Sequence, residues 1–424
     1  MSDRVPWILA AVMFAACLAA IVLGPAGDVT PAAGDQNDYH LPVIESFARQ
    51  LPAPDLRNYD AATGPLWQLF LAIPARYGVG PTGLRAVSAA AGAALVLLVA
   101  LVAVRLAGEP RAAWLALPTA LCPYVLMGSI WITTDVPSML ALAACLAAAM
   151  LGGRGTAWLL AAGAGIRQTG LWMVPPAMLL QWCDQPPART AVDRARSAVR
   201  VAAPAIVVVG ILTWLWGGLT PPAFRDMHDR GVNLATPAFT LALVAVWGTP
   251  LLGCAAAGLR RSPRAWLAAA ALSGAVAALA VPTSYAMDAG RWGGPLWTAV
   301  QRAPVIAERS LALAFLAPVG AVTLLLLLRR AREAMPGAVG PALAMAVLAI
   351  GAVDTFNTQC FERYADIPLL VVLPWLAAAG MRGATDAARG RVVAGAVLLG
   401  LVQAALSGWM VAQPLLAGLV WPGR

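Results

Sequence analysis

A polar run, Gly34-Asp35-Gln36-Asn37-Asp38-Tyr39-His40-Leu41-Pro42, follows the first apolar stretch of the chain. Asp35, Asp38 and His40 fall within six residues of one another. If the run begins a helix, Asp35 and Asp38 share a face at i, i+3. A carboxylate at a low-dielectric boundary can take a proton from a hydroxyl as a general base. The same two aspartates could instead cap a helix in a solvated loop.

Four further groups have the same character. Thr134-Asp135-Val136-Pro137-Ser138 puts one carboxylate between long apolar stretches, where it serves either as a helix cap or as a wall of a shared cavity. Ile166-Arg167-Gln168-Thr169 sets a guanidinium between two short apolar segments. An Arg at that depth calls for a phosphate or a carboxylate, and Asp135 is the ion-pair alternative. Asp288 and Arg291 stand in Met287-Asp288-Ala289-Gly290-Arg291-Trp292. Glu362, Arg363 and Tyr364 precede an apolar stretch that runs on through Asp366-Ile367-Pro368. Arg291 and Arg363 are candidate phosphate clamps, with snorkelling to the interface as the ordinary alternative.

What must position these groups is a membrane. Of 424 residues, 60% are hydrophobic and only 12% charged, with mean hydropathy +0.75. Repeated apolar runs of about 17–25 residues match a hydrocarbon core of roughly 30 Å, and backbone in lipid must be bonded internally. The alternating ten-residue segments of a β-barrel are absent. The expected fold is therefore all-α: one polytopic domain over 1–424 with about eleven to thirteen transmembrane helices. Spans are expected near 5–24, 84–107, 112–130, 134–152, 155–166, 170–182, 198–217, 238–258, 264–281, 308–328, 338–353, 364–380 and 390–412. The first is read as a retained helix rather than a cleaved signal. Residues 25–83 form the first outer loop, in which the short apolar segment 64–77 reads as an interfacial or re-entrant helix, with Trp67 as the anchor in the ordinary interfacial reading.

The charges test the orientation. All 29 basic residues are Arg. With the N-terminus cytoplasmic, seventeen of them fall on the inner side with six acids, and fourteen of the twenty acids fall outside. Reading 155–182 as one helix would invert every later loop and expose the Arg clusters at 189–200, 260–264 and 329–332. Two short helices turning at 165–170 avoid this, and such a break is tolerated where it lines a cavity.

Other chemistries find no support. The arginines lie between apolar spans, so the net charge of +9 points to membrane topology and not to nucleic acid. There is no P-loop, strand-led GxGxxG or HExxH, and the two histidines, His40 and His228, cannot build a multi-His metal site. Six cysteines without a CxxC pair indicate neither zinc nor a disulfide framework.

Taken in order, these groups resemble the GT-C superfamily of polytopic glycosyltransferases. More narrowly, they are similar to the α-1,2-glucosyltransferase family that uses dolichyl-phosphate-glucose. The resemblance rests on Gly34-Asp35 with Tyr39-His40-Leu41-Pro42, Ala62-Thr63-Gly64-Pro65-Leu66, Thr134-Asp135 with Ser138, Arg167-Gln168-Thr169 with Trp172, Asp288 with Arg291, and Glu362-Arg363-Tyr364 with Pro368. Where the family carries an acidic pair, this chain has Asp35-Gln36. The resemblance implies inverting transfer of a hexose from a polyprenyl-phosphate-sugar donor to a glycan or lipid-linked acceptor on the periplasmic face of a bacterial inner membrane. Asp35 would be the base, with Asp38 second. Tyr39, His40, Asp135, Arg167, Gln168, Asp288, Arg291, Glu362, Arg363 and Tyr364 would bind substrate. No cofactor is required; a divalent metal occurs in some relatives, but the residues here do not demand one. The competing reading is a transporter or flippase of a polar lipid or lipid-linked glycan, in which the same charges bind without reacting. A non-catalytic scaffold is the third.

Overall fold

The computed structural model describes residues 4–23, 31–184, 189–225, 231–284 and 293–420. It is helical almost throughout, and seven helices among the described residues are long and apolar enough to cross a membrane. In chain order the helices before the first break are α1 (Val5–Leu23), α2 (Pro31–Gly34), α3 (Leu41–Gln50), α4 (Leu66–Arg76) and α5 (Pro81–Ala107). Six π-helical residues, Asp35–His40, join α2 to α3.

After α5, a 3₁₀ stretch (Pro110–Ala116) leads into α6 (Leu117–Leu121) and α7 (Pro123–Ile130). Sequence patterning predicts a single straight span over 112–130. The structure bends it by 69° at Cys122. Pro123 is the cause: it clashes with a helical preceding residue, and Cys122 is extended at ψ 128°. Counting the bent pair as one crossing brings the total to eight.

Then come α8 (Asp135–Met150), α9 (Thr156–Ile166), a 3₁₀ turn (Gln168–Met173), α10 (Val174–Cys183) and α11 (Ala191–Trp216). The break anticipated at 165–170 falls at Arg167, which is extended at φ −139° and ψ 118°. The rest are α12 (Thr236–Gly248), α13 (Gly258–Arg261), α14 (Arg264–Leu279), α15 (Pro295–Arg302), α16 (Leu311–Ala334), α17 (Val339–Thr355), α18 (Glu362–Met381) and α19 (Asp386–Val420). A small antiparallel hairpin, β1 (Val305–Ile306) with β2 (Arg309–Ser310), pairs Val305 with Ser310 and turns through Ala307 and Glu308.

Helix α18 is the buried axis. It packs on α5, α12, α16 and α17, and its residues from Ala365 to Met381 are buried. A helix apolar on every side belongs inside a bundle. Its first turn therefore carries Glu362 and Arg363 to one end of the molecule. At the opposite end, Arg330 Nε donates to the Gly380 carbonyl (2.8 Å), Arg382 Nη2 to that of Arg105 (3.3 Å), and Arg389 pairs with Glu109 at 2.8 Å. The two ends of the bundle are thus chemically distinct.

Helices α3 and α4 lie across the first end. Val43, Ile44 and Phe47 meet Leu71 and Ala72 in a separate apolar cluster that includes Tyr59 and Trp216. Phe70 and Ile73 on α4, and Tyr77 just after it, are exposed and give this end an apolar outer face. Trp67, expected as the interfacial anchor, is instead buried and stacked on Phe70 (5.4 Å), which is left exposed.

Candidate active site

The π-helical run Asp35–His40 is held by the side chain between its two aspartates. Gln36 is fully buried, and its Oε1 accepts from Arg85 Nε (2.9 Å) on α5 and from the backbone N–H of Ile132 (3.1 Å) before α8. Arg85 also lies over the Trp131 ring, 3.8 Å from its centroid. Gln36 is thus a neutral brace between three segments.

Gln36 fixes Asp35 toward α18. Arg363 Nη1 donates to Asp35 Oδ2 at 2.6 Å, with the two side chains only 25% and 30% exposed. Asp35 does not cap a helix: the run starts from Gly34 with no side-chain cap. Asp38 does not cap it either, is exposed, and turns back toward Gly34. Tyr39 packs edge-on against Phe224 (5.1 Å).

His40 is buried, and its Nδ1 accepts from Gln68 Nε2 at 3.3 Å; the same amide reaches Thr63 Oγ1 at 3.3 Å. Burial pushes the His40 pKa down to about 4, outweighing the pull of Asp35 and Asp135. Arg167 and Arg363 act in the same sense as burial. His40 is therefore neutral at pH 7.

A second ion pair stands beside the first. Arg167 donates to Asp135, and its Nη1 lies 3.5 Å from Thr134 Oγ1. Thr134 holds the N-cap position of α8 and makes no side-chain cap bond; Asp135 opens the helix and, paired with Arg167, faces the cavity. Tyr364 lies between the two cations: the Arg167 and Arg363 guanidiniums are 4.8 Å and 5.6 Å from its ring centroid. Gln168 does not reach this space. Its Nε2 ties the Ala62 carbonyl (2.9 Å) to that of Leu219 (2.8 Å). Close packing locks the same junction, for a Cβ added at Gly64 would meet the Gly165 carbonyl oxygen at 2.1 Å.

Asp135, Arg167, Asp354, Arg363 and Tyr364 line one cavity of about 40 Å³, closed on its apolar side by Met139, Leu142, Trp172 and Ile367. Asp354, buried at the end of α17, was not expected. An Asp ending an apolar span was the available signal, the same one that marked Asp135. Glu362, expected to bind substrate, is fully buried away from the cavity. Its Oε2 accepts from the Leu296 N–H at 2.7 Å, so it holds α15 against α18. Asp366 likewise accepts from Trp247 Nε1 (2.8 Å). Asp288 and Arg291 lie outside the described residues. Among the described residues, no three His, Cys, Asp or Glu side chains group as metal ligands.

The chain is a polytopic helical membrane protein with an ion-paired polar centre at one end of its bundle. No family model matches it, and comparisons with curated proteins and with solved structures give no match.

Proposed function

We propose that this chain is a GT-C-type glycosyltransferase. It moves a hexose from a polyprenyl-phosphate-sugar donor to a lipid-linked or envelope glycan acceptor, with inversion, on the periplasmic face of a bacterial inner membrane. The N-terminus is cytoplasmic, and the spans number eleven or twelve once the shorter apolar helices α8, α9, α14 and α17 are counted with the seven or eight long ones among the described residues.

One observation carries the reading. A first-loop carboxylate, Asp35, and an arginine at the head of the buried helix, Arg363, sit in direct contact beside the Asp135–Arg167 pair. Inverting transfer needs these two charges side by side. The acceptor hydroxyl oxygen attacks the anomeric carbon while its proton passes to Asp35. The bond from that carbon to the phosphate oxygen breaks, and its electron pair leaves with the lipid phosphate. The departing phosphate gains a negative charge, and guanidiniums already aimed at it stabilise that charge without reorganising. The head of α18 adds the positive end of its dipole.

The cavity of about 40 Å³ has room for a few waters but not for a hexose. The donor therefore enters by replacing a carboxylate on a guanidinium. Donor phosphate takes Arg363 from Asp35, and the same exchange leaves Asp35 unpaired to act as base. Arg167 is the second phosphate ligand, and Asp135 and His40 orient the acceptor. Phe70, Ile73 and Tyr77 offer the prenyl chain an apolar face at the same end.

The test is incubation of purified protein with a panel of polyprenyl-phosphate sugars, followed by detection of released lipid phosphate. Release with at least one donor is expected. A folded sample that binds a lipid-linked sugar, releases no lipid phosphate, and moves it between leaflets of a vesicle would establish the transporter reading instead.

A further inference from the structure

A second polar site lies at the same end of the bundle, outside the ion-paired centre. The last turn of α11 and the segment that leaves it face residues 57–58 of the first loop across a groove of about 600 Å³. Arg57, Asn58, Trp214 and Arg225 line it, and no carboxylate does among the described residues.

The groove is built rather than incidental. Trp216 is buried and donates its indole N–H to the Leu56 carbonyl at 2.8 Å, which fixes one wall against the other. The nearby carboxylate, Asp55, is already engaged, accepting from the backbone N–H groups of Arg57 (2.8 Å) and Asn58 (3.3 Å). Arg225 Nε is buried with no hydrogen-bond partner. Its guanidinium lies against Gly217, where an added Cβ would come within 3.1 Å of Nη2. Gly217 closes α11 in the left-handed conformation at φ 67°, so this cation sits at the negative end of a 26-residue helix. The dipole holds the cation there without neutralising it. Among the described residues, a guanidinium whose Nε has no acceptor, lining a groove with a second guanidinium and no acid, matches the planar, multi-oxygen geometry of a phosphate.

The apolar side of the groove identifies the source of that phosphate. Val207, Ile211 and Trp214 recur at helical spacing on α11 and are exposed, Trp214 at 81%. This stripe leads along a membrane-crossing helix directly to the two arginines. An indole at the end of such a stripe sits at headgroup level, with acyl chains below it. A free anion would have no use for the stripe, whereas a lipid would use both halves.

We propose that this groove binds the phosphate headgroup of an anionic membrane lipid, with the lipid's acyl chains along Val207, Ile211 and Trp214 of α11. The site is independent of whether the chain transfers sugar. It does adjoin the candidate active site, since Gln168 holds the Leu219 carbonyl and Phe224 packs on Tyr39 within the same connecting segment.

Native mass spectrometry of the full chain tests this, with phosphatidylglycerol, phosphatidylcholine or inorganic phosphate added separately. Phosphatidylglycerol is expected to remain bound in preference to phosphatidylcholine. Arg57→Gln with Arg225→Gln is expected to weaken that retention by about 30-fold, from two guanidiniums at a membrane surface. Trp214→Ala, an exposed change that leaves both charges and the fold in place, is expected to weaken it several-fold; this variant decides the matter if the double variant does not fold. Millimolar inorganic phosphate is expected not to displace the lipid. Unchanged phosphatidylglycerol retention in the Trp214 variant, or in a folded double variant, would overturn the proposal. So would displacement of the lipid by inorganic phosphate alone.

Discussion

Asp35 and Arg363 stand 328 positions apart in the chain and meet at 2.6 Å. The contact joins the first loop to the head of the buried helix, and it pairs the proposed base with the proposed phosphate ligand. Two groups that act as one unit are not additive when removed. Asp35→Asn and Arg363→Gln should each lower kcat/KM by about 10²–10³-fold, and the double variant should fall little further. Steady-state kinetics on the four proteins checks this. Fully additive losses would mean that the two residues work independently.

The Asp135–Arg167 pair is more enclosed, with side chains 12% and 13% exposed. Breaking a buried pair leaves one charge uncompensated, at a cost of about 3–5 kcal/mol. Arg167→Met alone should therefore depress the thermal midpoint in detergent markedly. Adding Asp135→Leu should recover most of the stability, and it should not recover turnover.

Gly64 sits where the first loop crosses the turn at Arg167. A methyl group there would lie 2.1 Å from the Gly165 carbonyl oxygen, which is backbone and cannot move aside cheaply. Gly64→Ala is expected to cost about 1–3 kcal/mol and to lower turnover by shifting Arg167 and Gln168 together. Thermal unfolding and activity measured in parallel distinguish it from Gly210→Ala, where nothing lies within 4 Å of the added carbon and the backbone is helical.

Much of this arrangement was legible in the residues. Long apolar runs gave the spans, and the isolated charges Asp35, Asp135, Arg167 and Arg363 each announced a need for a partner, because an ionisable group at membrane depth is costly alone. The pairing of Arg167 with Asp135 was one of the readings that the residues offered, and the two lie only 32 positions apart; the pairing of Asp35 with Arg363 across 328 positions leaves no local pattern. Two placements went astray for local reasons. The break at Cys122 lay in a uniformly apolar run, where only Pro123 marked it, and Trp67 was buried by the α3–α4 packing that no periodicity in so short a helix displays. Gln36 read as a lost acid; its amide oxygen turned out to bind Arg85 and Ile132. Glu362 looked like a ligand and instead anchors α15.

His40 gives the pH dependence. Its pKa is lowered from the usual 6.5 to about 4 by burial. Between these values the unfolded chain binds a proton that the folded chain refuses, so stability is complete above about pH 6.5 and is lost as pH falls toward 4. The full loss from this one group is about 3 kcal/mol. Measured from pH 7 to pH 4, the wild-type thermal midpoint should fall relative to that of His40→Gln, whose neutral amide has no proton to bind. Parallel curves would show that another group sets the acid limb.

The most direct measurement compares donor turnover with donor binding in Asp35→Asn. The carboxamide cannot take the acceptor's proton, yet it releases Arg363 from its ion pair and leaves the Asp135–Arg167 pair untouched. Turnover should fall by at least about 10²-fold while the affinity for the polyprenyl-phosphate sugar stays equal or rises, because Asp35 no longer competes for Arg363. Retained turnover, or loss of donor affinity with the rate per bound donor unchanged, would contradict a catalytic base at Asp35.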